Sequence, residues 1–219
     1  MRVLSIDTSS EAGGITLIES DKDIYRLNIE STQRVAENIY RYIDEIMKRC
    51  RLTIDDIDLF TTLLGPGSFT GLRVSLSVLK SFAIALKKPL LGIETYRVMA
   101  YAAQKVRDSD RILVIGNARR NELFVALYDK GLNEKMPIRI IPTVELEGYL
   151  EEGDILTVYR DIEVEEFLPE EADYMRIDKD LSYSCAELAI RLYNSGNGLS
   201  SVSDIEPVYV RNDVVRIKV

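Results

Sequence analysis

The sequence predicts an α/β protein of two lobes, each built in the order β-β-β-α-β-α. Three observations carry that prediction. Runs with strand periodicity alternate with runs of helical periodicity along all 219 residues. The order of elements in the first half recurs in the second. A glycine-rich turn joins a strongly apolar strand to a long apolar helix, as expected where a strand is buried on both faces. A hydrophobic content of 46% is ample for a core of this size.

In the first half, Val3 to Asp7, Gly14 to Glu19 and Asp23 to Ile29 read as three successive strands. The third alternates Tyr25, Leu27 and Ile29 with Arg26, Asn28 and Glu30, the pattern of an edge strand with one wet face. A helix capped by Ser31 or Thr32 runs to about Arg49, with Val35, Ile39, Ile43, Ile46 and Cys50 on one side. Asp58 to Leu64 is the buried strand, Phe69 to Lys87 the following helix, stopped by Pro89. Leu90 to Ile93 is a short strand, and Thr95 caps a helix through Tyr101 to Val106. In the second half, strands are expected at Arg111 to Gly116, Glu122 to Tyr128 and Pro137 to Ile141, then a helix at Thr143 to Leu150 and a strand at Ile155 to Tyr159. A short helix at Glu163 to Phe167, a strand at Tyr174 to Ile177 and a helix at Ser182 to Tyr193 follow, with a turn-rich loop from Asn194 to Ser203. This doubled order is that of two ribonuclease-H-like lobes. Residues 1–95 make the first and residues 96–219 the second, with the option that the last residues pack back on the first.

Charge and composition narrow the function classes. There are 28 Lys and Arg against 36 Asp and Glu, a net charge of −8, the wrong sign for a protein that grips a phosphate backbone unaided. The chain has no histidine, so no Ser-His-Asp triad and no histidine metal centre can be built from it. Carboxylates, Lys, Tyr and Ser remain available for chemistry. Cys50 and Cys185 both fall in amphipathic helical runs, where a thiol behaves as a small hydrophobe. The longest apolar stretches fall short of the roughly 20 residues that span a bilayer, and the N-terminus opens directly as a strand. A cytoplasmic protein without membrane contact is the expectation.

Two turns are candidates for chemistry. Asp7, Thr8 and Ser9 end the first strand, where hydroxyls and backbone N–H groups can face a phosphate and an aspartate can hold a metal-bound water; equally, they can satisfy the turn's own backbone. Gly65, Pro66, Gly67 and Ser68 begin the segment GPGSFTGLR at a helix N-terminus, where glycines permit close approach of an anion. That segment lacks the GK[ST] ending of a Walker loop and is not GxGxxG. A tight strand-to-helix connection with Ser68 as cap accounts for most of it.

Asp7-Thr8-Ser9, GPGSFTGLR about 60 residues later, Asn117-Ala118-Arg119-Arg120 with Glu122, and Tyr209-Val210-Arg211 together are similar to the TsaB family, across nearly the whole chain. The resemblance implies a fold of the acetate kinase, sugar kinase and actin-like superfamily. It also implies a non-catalytic paralogue of TsaD, which puts threonylcarbamoyl on adenosine of tRNA. Where TsaD carries two histidines four apart, this chain has Thr95 and Met99, neither able to replace an imidazole at a transition metal. No metal is therefore expected, and no cofactor, with weak ATP binding left open. Three positions depart from the TsaB pattern: Arg34-Val35-Ala36-Glu37-Asn38 replaces a His-Ser-Glu-like start of the first helix, Ser75 replaces a glycine, and Asn117 replaces an aspartate.

The helix from Phe69 is apolar on more than one side, with Leu72, Leu76, Leu79, Ala83 and Leu86 on one stripe and Val74, Val78, Phe82 and Ala85 beside it. It packs either wholly within the monomer or partly against a second protein. TsaB-like chains pair with TsaD through the two helices of the first lobe and self-pair through the same surface, so the resemblance places an interface on Val35, Ile39, Ile43, Leu72, Ser75, Leu76, Ser77, Leu79 and Ser81. It further implies a TsaE-like ATPase partner, with tRNA touched only indirectly. The rival readings are a small ATP-dependent phosphotransferase, a metallopeptidase, and a scaffold unrelated to tRNA.

Overall fold

The computed structural model describes residues 1–11, 13–19, 24–29, 34–159, 168, 174–177, 180–196 and 201–210. The chain divides into two compact units, Met1–Val98 with Lys179–Val208, and Met99–Asp178 with Tyr209–Val219.

The first unit is a five-stranded sheet in the order β3-β2-β1-β4-β5, made of β1 (Val3–Asp7), β2 (Gly13–Ile18), β3 (Ile24–Ile29), β4 (Leu59–Leu63) and β5 (Leu90–Ile93). The first three strands form an antiparallel meander, with Val3 opposite Ile18 and Gly14 opposite Asn28. β4 and β5 are added in parallel, with Ile6 level with Thr62 and Thr62 with Gly92. Parallel strands need crossovers, and two long helices supply them: α1 (Val35–Cys50) and α2 (Phe69–Leu86). β3 is the alternating edge strand, as its sequence indicates, while β4 is buried along its whole length. The Ser31 or Thr32 cap expected for α1 lies outside the described residues. Arg34 stands at the N-cap position without a side-chain capping bond.

One face of this sheet carries the apolar core. Leu4 and Ile6 of β1, Ile15 and Leu17 of β2 and Phe60 of β4 pack against Ile39, Ile43 and Ile46 of α1 and Leu76, Leu79 and Ala83 of α2. Truncating any one of the large members to alanine costs roughly 2–5 kcal/mol. By length and apolar composition α2 would also suit a membrane span, but its Leu76, Leu79 and Ala83 side is spent on this sheet.

The following helix, α3 (Thr95–Gln104), contains the boundary between the units. Thr95 is its first residue rather than a capping one, and its hydroxyl has no hydrogen-bond partner among the described residues. The last helix, α4 (Ser182–Asn194), covers the other face of the first sheet, over β1, β2, β4 and β5. The break after Val98 lies beside the expected boundary at residue 95, and the part of the chain that returns to the first unit is longer than the last residues, since it includes α4. The reason is the strand face itself: Thr16 and Thr61 are buried there and need partners. Thr16 Oγ1 meets Ser182 Oγ at 2.7 Å, and Thr61 Oγ1 meets Cys185 Sγ at 3.4 Å.

The second unit repeats the sheet logic in the order β10-β9-β6-β7-β8, with β6 (Ile112–Arg119), β7 (Glu122–Tyr128), β8 (Glu134–Pro142), β9 (Ile155–Tyr159) and β10 (Tyr174–Ile177). Again three strands form an antiparallel meander and two are added in parallel. Its core gathers Leu113, Ile115, Leu123, Val125, Leu156 and Val158 around Leu146. The helix expected at Thr143 to Leu150 is a 3-10 segment, Thr143–Tyr149. Thr143, Val144 and Gly148 are poor α-formers, and a short tightened segment suffices to bury Leu146. The short helix expected at Glu163 to Phe167 lies outside the described residues.

Candidate functional site

The two turns singled out in the sequence meet in the first unit and are fastened to each other. Asp7, at the end of β1, is fully buried. Its Oδ1 accepts hydrogen bonds from the Ser9 backbone N–H (2.8 Å) and the Ser9 hydroxyl (2.7 Å), and its Oδ2 accepts from the Leu181 N–H at the start of α4 (2.8 Å). Thr8 donates its hydroxyl proton to the Gly71 carbonyl (2.6 Å), and the Ser68 N–H donates to the Ser9 carbonyl (2.6 Å). Burial pushes the Asp7 carboxyl above the ordinary carboxylate value, against the pull of the bonds from Leu181 and Ser9, and nearby Asp180 adds to the rise. A carboxylate at a helix N-terminus also complements the helix dipole, so Asp7 anchors α4.

The second turn is shaped by the same fastening. Gly65 has φ +113°, a conformation for glycine, and a side chain there would reach within 2.8 Å of the Val208 carbonyl oxygen. The Gly65–Pro66 peptide is cis. Ser68 caps α2, its Oγ accepting from the Gly71 N–H at 3.3 Å. Gly71 lies so close to Thr8 that a Cβ would stand 2.8 Å from the Thr8 carbonyl carbon and nearer still to its oxygen. Of the two readings open for Asp7, Thr8 and Ser9, the geometry fits the one in which they satisfy the turn itself: all three side chains are buried, and each is engaged by the chain's own donors or acceptors. Gly67 and Ser68 remain exposed, Pro66 is half-buried and Gly65 is buried. Thr95 and Met99, the positions that the sequence resemblance sets against two histidines, are both buried. Among the described residues no cluster of His, Cys, Asp and Glu has the makings of a metal site.

The outer side of the α1–α2 pair carries a groove of about 440 Å³. Ile39, Val74 and Val78 form its floor, and Ala36 and Tyr40 of α1 face Phe69, Thr70, Arg73 and Ser77 of α2 across it. Tyr40 is 58% exposed and Phe69 39%, so two aromatic rings stand open to solvent at its rim. Tyr40 is braced edge-on by Phe82 (centroids 6.2 Å apart, planes at 87°), and the Arg73 guanidinium lies 3.8 Å from the centre of the Phe69 ring. Of the nine residues expected at an interface, Val35, Ile39, Ile43, Leu72, Ser75, Leu76 and Leu79 are buried in the core. Ser77 and Ser81 alone of that set are exposed. The stripe read as an interface is the stripe the helices need for their own sheet. The exposed rim residues Tyr40, Phe69 and Arg73 were missed because they interrupt the apolar periodicity. The signal available was aromatic residues placed off the buried stripe.

In the second unit, the hairpin between β6 and β7 turns on Arg120 and Asn121, both at φ 58°, after a bulge at Arg119 with φ 68°. Left-handed backbone costs a non-glycine residue roughly 1–2 kcal/mol, and asparagine tolerates it better than arginine. The Asn117 side-chain oxygen accepts the Arg119 N–H at 2.7 Å and holds the bulge.

Paired ribonuclease-H-like sheets, each with three antiparallel and two parallel strands, define a two-unit α/β protein of the actin-like ATPase fold. The family model for TsaD, tRNA N6-adenosine threonylcarbamoyltransferase, matches residues 30–155. The chain belongs to that family, and its relatives place it with the TsaB/YeaZ proteins. It is 26% identical to the tRNA threonylcarbamoyladenosine biosynthesis protein TsaB of Escherichia coli K12, over 98% of this chain and 96% of that one. It is 26% identical to Bacillus subtilis TsaB over 62% of this chain and 59% of that one. The solved structure of YeaZ from Pseudomonas aeruginosa superposes with a TM-score of 0.79 at 18% identity, covering 95% of this chain and 99% of that one. The inorganic polyphosphate/ATP-glucomannokinase from Arthrobacter sp. strain KM shares the fold at a TM-score of 0.53 and 12% identity, covering 89% of this chain and 99% of that one.

Proposed function

We propose that this chain is an accessory, non-catalytic subunit in the threonylcarbamoylation of adenosine in tRNA, and that it works by docking and activating a TsaD-like catalytic subunit. The observation that carries this reading is the α1–α2 groove, an apolar floor between two exposed aromatic rings on helices whose other sides are committed to the core. Aromatic and arginine anchors around an apolar patch are the composition of protein-binding hot spots. The relatives' names supply the process. A non-catalytic role is supported by the engagement of Asp7, since a carboxylate holding Ser9 and Leu181 has little capacity left to activate a water or a phosphate. The same face would accept a second copy of the chain when the catalytic subunit is absent. A TsaE-like ATPase would join at another surface, tRNA would be engaged through the assembly, and the work would take place in the cytoplasm.

Docking on α1 and α2 has a direct physical route to activation. Both helices pack on the sheet whose opposite face holds α4, so a partner helix laid into the groove stiffens a unit that is already bonded from Thr8 to Gly71 and from Asp7 to Leu181. The test is reconstitution of tRNA modification with the catalytic subunit, with and without this chain, together with Ser77→Glu in the groove. The reaction should need the chain, and the folded Ser77→Glu variant should fail to co-purify with the subunit. Full modification without the chain, or undiminished binding by the variant with an unchanged circular dichroism spectrum, would refute the proposal.

A further inference from the structure

We propose that the tip of the β6–β7 hairpin is a contact for the sugar-phosphate backbone of RNA, made by the guanidinium groups of Arg119 and Arg120. The inference rests on the proposed role in tRNA modification and extends it, because there the chain was given no RNA contact of its own.

The argument begins with conformation. A two-residue hairpin turn with both residues at positive φ is the place for Asn-Gly or Asp-Gly, and a bulge residue in the left-handed region is ordinarily glycine. Here Arg119 takes the bulge at φ 68° and Arg120 the first turn position at φ 58°. Both therefore carry backbone strain that a glycine would relieve. Among the described residues neither guanidinium is in an ion pair, and both residues are exposed. The backbone beneath them is nonetheless held firmly. Asn117 fixes the Arg119 N–H, and the Asn121 carbonyl accepts the Thr143 N–H at 3.0 Å. The result is two adjacent cations presented on a braced, strained turn. Arg51 and Lys87 take the same left-handed backbone to close helices, whereas Arg119 and Arg120 are consecutive on a hairpin tip, and strain at such a position is tolerated for the sake of a contact.

Charge identifies what the contact is. The chain as a whole is acidic, at −8, so RNA approaching it is repelled except where cations are concentrated. Arginine matches phosphate better than lysine does, because its planar fork donates two parallel hydrogen bonds and gives up its water more readily. Two arginines do not make an RNA-binding protein, but they add two phosphate contacts to a complex whose main grip lies with the catalytic subunit. These contacts would position the RNA without reading its sequence.

The test is binding of a fluorescently labelled tRNA transcript to the complex of this chain with the TsaD-like subunit, measured at several salt concentrations. Two double variants are compared, Arg119→Gln with Arg120→Gln and Arg119→Gly with Arg120→Gly. Both should weaken tRNA binding about tenfold near 0.1 M salt and reduce the slope of log affinity against log salt by about two, with affinity for the catalytic subunit unchanged. The glycine pair should melt at or above the wild-type temperature, because it relieves the strain. Unchanged affinity and slope in both variants would overturn the inference. So would loss in the glycine pair alone, or a loss that traces to weaker binding of the catalytic subunit. If the wild-type chain forms no such complex, the proposed function fails and this inference falls with it; an intact wild-type complex with unaltered variants removes the inference alone.

Discussion

Replacing Gly71 by alanine tests whether the glycine turn is a fastening or a ligand cradle. Alanine is the better helix former by about 1 kcal/mol, so helix propensity alone predicts that Gly71→Ala, in the first turn of α2, stabilises the protein. The tertiary contacts predict the opposite. The added Cβ would stand 2.8 Å from the Thr8 carbonyl carbon, about 0.6 Å inside the 3.4 Å at which ordinary contact begins, and deeper still against the oxygen. That oxygen is backbone, so no side-chain rotation relieves the clash, and β1's end must part from α2. Parting stretches two bonds, the buried one from Thr8 Oγ1 to the Gly71 carbonyl and that from the Ser68 N–H to the Ser9 carbonyl, both 2.6 Å. Overpacking of this kind costs roughly 1–3 kcal/mol, and weakening two hydrogen bonds costs roughly 1–3 more. Against the propensity gain, the net loss is about 1–5 kcal/mol. Urea denaturation followed by circular dichroism measures it, with the midpoint moving to lower urea at unchanged slope. A variant as stable as wild type, or more so, would refute the fastening.

Two further outcomes follow from buried ionisable groups. The Asp7 carboxyl has a folded pKa raised above its unfolded value, so its ionisation opposes folding above the folded pKa, and that penalty is relieved as pH falls from there toward about 4. Wild type should therefore gain stability relative to Asp7→Asn as pH is lowered through that window, and a difference that shrinks instead would contradict the burial term; parallel urea melts from pH 7 to pH 4 decide it. Burial also pushes the thiols of Cys185 and Cys50 up, to about 12 and about 11. At pH 8 a maleimide should leave Cys185 unlabelled in the native protein and label it on denaturation, and rapid native labelling at Cys185 by mass spectrometry would show that α4 does not hold its place.

Periodicity and punctuation are local properties, and they were enough to read most of the elements. Alternating Tyr25, Leu27 and Ile29 marked β3 as an edge, the apolar Leu59 to Leu63 run marked β4 as buried, and glycine and proline bounded α2. The doubled order of strands and helices implied two sheets of one kind, and the absence of histidine narrowed the chemistry before any coordinate was known. Tertiary structure decided which partner each surface takes. A helix with apolar residues on several sides does not announce which side meets its own sheet, so Val35, Ile39, Ile43, Leu72, Ser75, Leu76 and Leu79 were read as interface and proved to be core. Nothing near Ser182 in the sequence indicates that α4 returns to β1, because the bond that anchors it joins Asp7 to Leu181, 174 residues apart. The turn around Asp7 and the turn around Gly67 each looked able to face an anion. Only their closure on one another, with the Thr8 carbonyl against Gly71, determined that the first is spent on holding the fold.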